Sequence, residues 1–141
     1  MILLDTNVVS AMMQSRPQRS VADWLNRQKT AQLFISTITI AEVAYGLRLL
    51  PDGRRRTFLA DRFDRLLTQG FEQRTLVFDE SAARHYGEIK GSRKELGHPV
   101  RSLDAQIAAI ARSNHLTVAT RNIHDFEDCG VDLIDPFAPE A

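Results

Sequence analysis

Five short apolar runs punctuate the chain: Ile2 to Leu4, Leu33 to Ile35, Leu76 to Phe78, Leu116 to Ala119 and Val131 to Ile134. None alternates strictly between apolar and polar residues, so all five are expected to be strands covered on both faces. Helical spacing fills the intervals. Ile40, Val43, Ala44 and Leu47 fall at i, i+3, i+4 and i+7, and Leu103, Ile107, Ile110 and Ala111 make a second such stripe. Phe58, Phe63, Leu66 and Leu67 mark a helix ending near Gly70. Ala82, Tyr86 and Ile89 mark another that weakens toward Gly91 and stops by Gly97-His98-Pro99. Strands alternating with helices predict an α/β chain with a central parallel sheet of about five strands and right-handed crossovers. In such sheets ligands collect at the carboxyl ends of the strands.

With 141 residues, 43% of them hydrophobic, the chain suits one core, and residues 1–141 are expected to form a single domain. Ser15 to Ser20, with Arg16-Pro17, and Pro51 to Arg56, which reads PDGRRR, are expected to be turns or short loops. Lys plus Arg equals Asp plus Glu at 18 each, so no global field draws the molecule to a polyanion. A nucleic acid would have to meet a local patch, for which Arg93, Lys94, Arg101 and Arg121 are the candidates. Cys129 stands alone, which removes an intramolecular disulfide and a multi-cysteine zinc site and suits a reducing cytoplasm. MILL is too short for the apolar region of a signal peptide, and no stretch approaches the roughly 18 residues of a membrane span, so a soluble chain is expected.

Four acids are expected within a few residues of a predicted strand end or in the first turn of the helix that follows a strand. Asp5 directly follows the first strand, where an N-cap or turn role is the ordinary reading. Glu42 sits in STITIAEV, where Thr39-x-x-Glu42 fits a capping box, yet it lies off the apolar stripe and leans toward the strand edge. Asp104 lies in RSLDAQIAAIA, with Ser102 as the expected N-cap. Asp125, in ATRNIHDF, has a turn role available just past the fourth strand.

Taken singly, each acid has a structural explanation. Jointly, they are expected to converge on one edge, and crowded carboxylates repel unless a cation or protons offset them. An all-oxygen cluster without cysteine or histidine suits a hard ion such as Mg²⁺ or Mn²⁺. His85, His98, His115 and His124 show no zinc spacing, and no Ser-His-Asp constellation or Gly-rich phosphate cradle is present. Arg54-Arg55-Arg56 reads as a solvated loop. Trp24, Tyr45 and Tyr86 read as core or interface aromatics.

LLDTNV, AEVAYG, SLDAQIAA and TRNIHDF, in this order and spacing, resemble the PIN-domain ribonucleases, especially the VapC-like toxins of bacterial toxin–antitoxin pairs. The resemblance runs from residue 2 to about residue 134 and implies a three-layer α/β/α fold. It implies an endoribonuclease that uses Mg²⁺ or Mn²⁺, with Asp5 and Asp104 as the surest metal ligands and Glu42 and Asp125 completing the cluster directly or through water. Thr120, Asn122 and Thr6 would support the site by hydrogen bonding. The resemblance further implies a homodimer held inactive by a small antitoxin, part of which binds operator DNA. Two rival readings use the same acids: a receiver-like module that binds Mg²⁺ and accepts phosphate on Asp5, and an interaction protein with a degenerate site.

Overall fold

A computed structural model describes residues 1–139. Its elements run β1 (Ile2–Leu4), α1 (Thr6–Met13), α2 (Arg19–Arg27), β2 (Leu33–Ser36), α3 (Thr37–Leu49), α4 (Arg54–Arg65), β3 (Thr75–Leu76), α5 (Glu80–Glu95), α6 (Ser102–Ser113), β4 (Thr117–Ala119), α7 (Ile123–Phe126) and β5 (Leu133–Ile134). The five strands form one sheet in the order β3-β2-β1-β4-β5, and every pairing is parallel.

Burial on both faces follows from the two-residue period of a strand. Leu3 and Val118 turn to one side, where they join Ala82 and Ile89 of α5, Ala105, Ile107 and Ala108 of α6, and Phe126 of α7. Leu4 and Ala119 turn to the other, among Val8, Val9 and Met13 of α1, Val21 and Trp24 of α2, Val43 of α3, and Leu59 and Phe63 of α4. The result is three layers, helix on sheet on helix. Of the three aromatics singled out above, Trp24 is core, Tyr86 packs edge-on to Phe78 with ring centroids 5.9 Å apart, and Tyr45 is exposed. No helix of the described residues is long and apolar enough to cross a membrane.

Several boundaries differ from the sequence-based expectation. Helix α2 begins inside the segment expected to be a loop, because Val21 and Trp24 supply an apolar face of only two buried residues, too short to read as a stripe. Helix α4 begins at Arg54, so the arginine run belongs to a helix and not to a loop, and a π-helical turn over Leu66–Gly70 extends it. Helix α5, by contrast, ends at Glu95, in keeping with the expected stop by Gly97, and Gly91 does not interrupt it. Its two internal glycines, Gly87 and Gly91, cost about 1 kcal/mol each, and buried Ala82, Ile89 and Arg93 tie the helix down. The chain leaves α5 at Gly97, whose φ of +77° is the left-handed conformation that glycine adopts without a Cβ clash.

Two capping expectations are corrected. The N-cap of α3 is Ser36, whose hydroxyl accepts from the Thr39 amide at 3.1 Å, so Thr39 and Glu42 do not form a capping box. Ser102 is the first residue of α6 and not its cap, a position Arg101 fills without a side-chain bond.

The sheet order reverses direction at β1: the chain moves outward to β2 and β3, then returns to the other side of β1 for β4 and β5. A crevice therefore opens beyond the carboxyl ends of β1 and β4. Helix α6 carries the largest share of the core beneath it. Replacing fully buried Ile107 with alanine is expected to cost about 2–5 kcal/mol, read as a lower denaturation midpoint with an unchanged slope.

Candidate active site

Asp5 is the first residue beyond β1, and its amide still bonds to Ala119 O of β4 at 2.9 Å. This pairing sets the side chain at the crevice. Asp5 also caps α1: Oδ1 accepts from the Thr6 amide at 2.8 Å, and Oδ2 accepts from the Thr120 hydroxyl at 2.8 Å. Thr120 stands in the matching position beyond β4 and is itself wholly buried. Its Oγ1 receives the Asn122 amide at 3.0 Å, which ties the loop after β4 to the same carboxylate.

Asp5 is only 4% exposed. Its pKa is raised from 3.8 to about 6: burial is the largest cause, the bonds from Thr120 and Thr6 oppose it, and the nearby charges of Asp104 and Glu42 add to it.

Glu42 reaches the crevice from α3, where Thr6 Oγ1 donates to Glu42 Oε1 at 2.8 Å and lies 3.1 Å from Thr39 Oγ1. Asp104 sits in the first turn of α6, where the helix dipole favours an acid. Arg101 Nε donates to its Oδ2 at 3.0 Å and Arg101 Nη2 to its Oδ1 at 3.3 Å. The bonds and charge of Asp104 raise the Arg101 pKa further, with smaller contributions from Asp125 and Glu42.

These groups line one groove of about 520 Å³. Asp5, Glu42 and Asp104 form its acidic part; Thr6, Asn7, Ser10, Gln14 and Asn122 add neutral polar groups; Arg16, Arg101 and Arg121 supply cations. No lysine lines it. Arg121 lies with its guanidinium carbon 3.8 Å from the centre of the Phe137 ring, and its amide donates to Asn7 Oδ1 at 3.3 Å.

Asp125 stands apart from the other three acids. It lies in α7 and lines an adjoining cavity with Arg121, Asn122 and Asp135, close enough for its charge to act on Arg101. Its expected turn role is present, since its amide donates to Asn122 O at 3.0 Å.

The basic residues divide into two kinds. Arg101 and Arg121 line the groove, whereas Arg93, expected in the same patch, is 5% exposed and turned inward. It donates to His98 O at 2.6 Å, to Asp125 O at 3.1 Å, to Glu127 O at 2.8 Å and to Cys129 Sγ at 3.5 Å. Arg93 therefore fastens the α7 segment to the end of α5, and burial pushes the neighbouring Cys129 thiol up. Nothing in the local sequence separates it from exposed Lys94. Arg16, Gln18 and Phe137 are groove residues that sequence reading did not find, because they arrive from a loop and from the chain's far end.

Among the described residues, no three His, Cys, Asp or Glu side chains stand ready as a metal-ligand set. The reason is visible in the partners: Asp104 is turned onto Arg101 and Glu42 onto Thr6. The donor chemistry nevertheless fits a hard divalent ion, since every nearby anionic donor is oxygen and the raised Asp5 pKa marks negative charge still uncompensated.

A family profile for the PIN domain matches residues 2–130. The chain belongs to the PIN-domain family. Its relatives include VapC ribonuclease Y4jK of Sinorhizobium fredii, 37% identical over 139 residues that cover 99% of both chains. Toxin FitB of Neisseria gonorrhoeae is 36% identical over 137 residues, covering 97% of this chain and 99% of that one. Among solved structures, FitAB bound to an IR36 DNA fragment superposes with a TM-score of 0.92 at 35% identity, covering 100% of this chain and 99% of the other.

The Asp5 carboxyl has a sign that stability measurements can read. Its native pKa near 6 exceeds the ordinary 3.8, so between those values the native state holds more protons than the unfolded state. Stability from this group is present at low pH and is lost as pH rises through about 6, by about 3 kcal/mol for two units. In chelator, melting temperature is expected to fall between about pH 4 and about pH 7, and Asp5→Asn is expected to lose that slope.

Proposed function

We propose that this PIN-domain protein is a metal-dependent endoribonuclease, the toxin of a toxin–antitoxin pair. The observation that carries the reading is the meeting of Asp5, Glu42 and Asp104 in one groove at the carboxyl edge of a parallel sheet. A relative named a VapC ribonuclease matches over 99% of the chain, which supports the same activity here. The absence of lysine from the groove lining turns the reading away from a phosphate-accepting receiver module.

Asp5 and Asp104 would hold Mg²⁺ or Mn²⁺, with Glu42 and Asp125 completing the set directly or through water. When bound, the ion supplies an acidified water and offsets charge on the scissile phosphate. The chain's own groups orient and move protons. Thr120 and the Thr6 amide fix both oxygens of Asp5, so its carboxylate needs no reorganisation. Glu42, held through a single hydroxyl, is the acid free to accept a proton from the attacking water. Arg16, Arg101 and Arg121 provide the local positive charge that a neutral chain needs to bind RNA phosphates.

Partners follow from a second feature. A smaller, more apolar cavity of about 170 Å³, walled by Met13, Val43, Leu47, Leu50 and Leu59, shares Thr6, Ser10, Gln14 and Glu42 with the acidic groove. An antitoxin segment seated there would cover Glu42, and exposed Tyr45, Leu49 and Phe58 lie on the same two helices, α3 and α4. The solved FitAB bound to a DNA fragment supports a DNA-bound assembly with a partner protein here; a homodimeric toxin held by a small antitoxin is part of the same proposal.

Purified protein incubated with structured RNAs is expected to cleave in Mg²⁺ or Mn²⁺ and to stop in chelator. Asp5→Asn and Asp104→Asn are each expected to lower the rate at least about 100-fold, with unchanged circular dichroism. Cleavage by either variant at the wild-type rate would show that the site is elsewhere.

A further inference from the structure

The three acids of the groove are compensated in different ways. Asp5 takes a hydroxyl and an amide, and Glu42 takes a hydroxyl, whereas Asp104 takes a full cation on both oxygens. That ion pair is lopsided. The Asp104 side chain is 7% exposed and rooted in α6, while the Arg101 side chain is 72% exposed and belongs to the residue just before the helix. Asp104 is the fixed member and Arg101 the movable one.

Resting on the metal-dependent nuclease reading, we propose that Arg101 is a resident counter-cation that exchanges partners. It neutralises Asp104 in the pairing seen here and would move to a substrate phosphate when a divalent ion takes that carboxylate. Arg101 takes one lone pair on each Asp104 oxygen and brings a positive charge to the carboxylate a metal would use, so the two cations compete there. A pair with one solvent-exposed partner is weakly held, and a divalent ion outcompetes it. Once released, the guanidinium still lines the groove, and its fork of donors matches phosphate oxygens as well as it matched carboxylate. Arg101 thus opposes metal binding and assists RNA binding.

Arg121 provides the contrast. It lines the same groove with the same charge, but its guanidinium is stacked on Phe137 and not on a carboxylate. Removing it alters the field without freeing any ligand oxygen.

The test is a Mn²⁺ titration of the RNA-free protein, followed by the free-ion paramagnetic signal, with steady-state RNA cleavage at saturating Mn²⁺. Arg101→Gln is expected to bind Mn²⁺ about tenfold more tightly and to raise KM for RNA about tenfold, with kcat changed less than about threefold. Arg101→Lys, which keeps the charge without the fork, is expected to fall between wild type and Arg101→Gln in both. Arg121→Gln is expected to shift Mn²⁺ affinity by less than about threefold. Unchanged Mn²⁺ affinity or unchanged KM in Arg101→Gln, or equal tightening in Arg121→Gln, overturns the exchange. A wild-type protein that neither binds Mn²⁺ nor cleaves RNA overturns the nuclease reading, and the exchange with it.

Discussion

The Asp5 carboxylate is nearly sealed from water where β1 and β4 end side by side, and the groove is organised around the need to hold it there. Burying an anion is costly unless donors replace its hydration. Two do so from different parts of the chain, the Thr6 amide at the start of α1 and the Thr120 hydroxyl 115 residues away. The compensation is incomplete, and the carboxyl keeps a pKa near 6. The proposed metal role rests on this feature, since a desolvated carboxylate with a raised pKa gains from a nearby cation or a proton.

The remaining polar groups relay this constraint outward. Thr6 presents its amide to Asp5 and its hydroxyl to Glu42, so the first turn of α1 joins the acid just beyond β1 to one carried by α3. Thr120 receives the Asn122 amide while donating to Asp5, which holds the loop before α7 against β4. Arg93 then grips the carbonyls of Asp125 and Glu127 from behind, meeting acceptors that no carboxylate supplies. A neutral chain therefore holds a strongly patterned surface, with acids at the centre of the groove and arginines around them.

Much of the architecture is legible in the sequence, because strands buried on both faces must be short continuous apolar runs and their helices must carry stripes. All five runs form strands within a residue or two, and the stripes of α3 and α6 lie within the observed helices. Helix α2 escapes detection because its apolar face, Val21, Trp24 and Leu25 at i, i+3 and i+4, spans barely more than one turn. The Thr39–Glu42 capping pattern is present as letters yet unused, because Ser36, the last residue of β2, is already the cap and its hydroxyl holds the Thr39 amide.

What the sequence determined by itself is much of the alternation of strand and helix and the placing of candidate acids near element starts, Asp5 just beyond β1 and Asp104 in the first turn of α6; both follow from local periodicity and chain order. Tertiary structure decided which of those acids meet. Asp5, Glu42 and Asp104 share a groove because the strand order reverses at β1, while Asp125 faces the cavity beside it. It also decided the fate of like residues: Arg101 pairs with Asp104, Arg121 stacks on Phe137, and Arg93 is buried among carbonyls. A side chain's charge is written in its letter, but its partner depends on what the fold brings within about 3 Å of it.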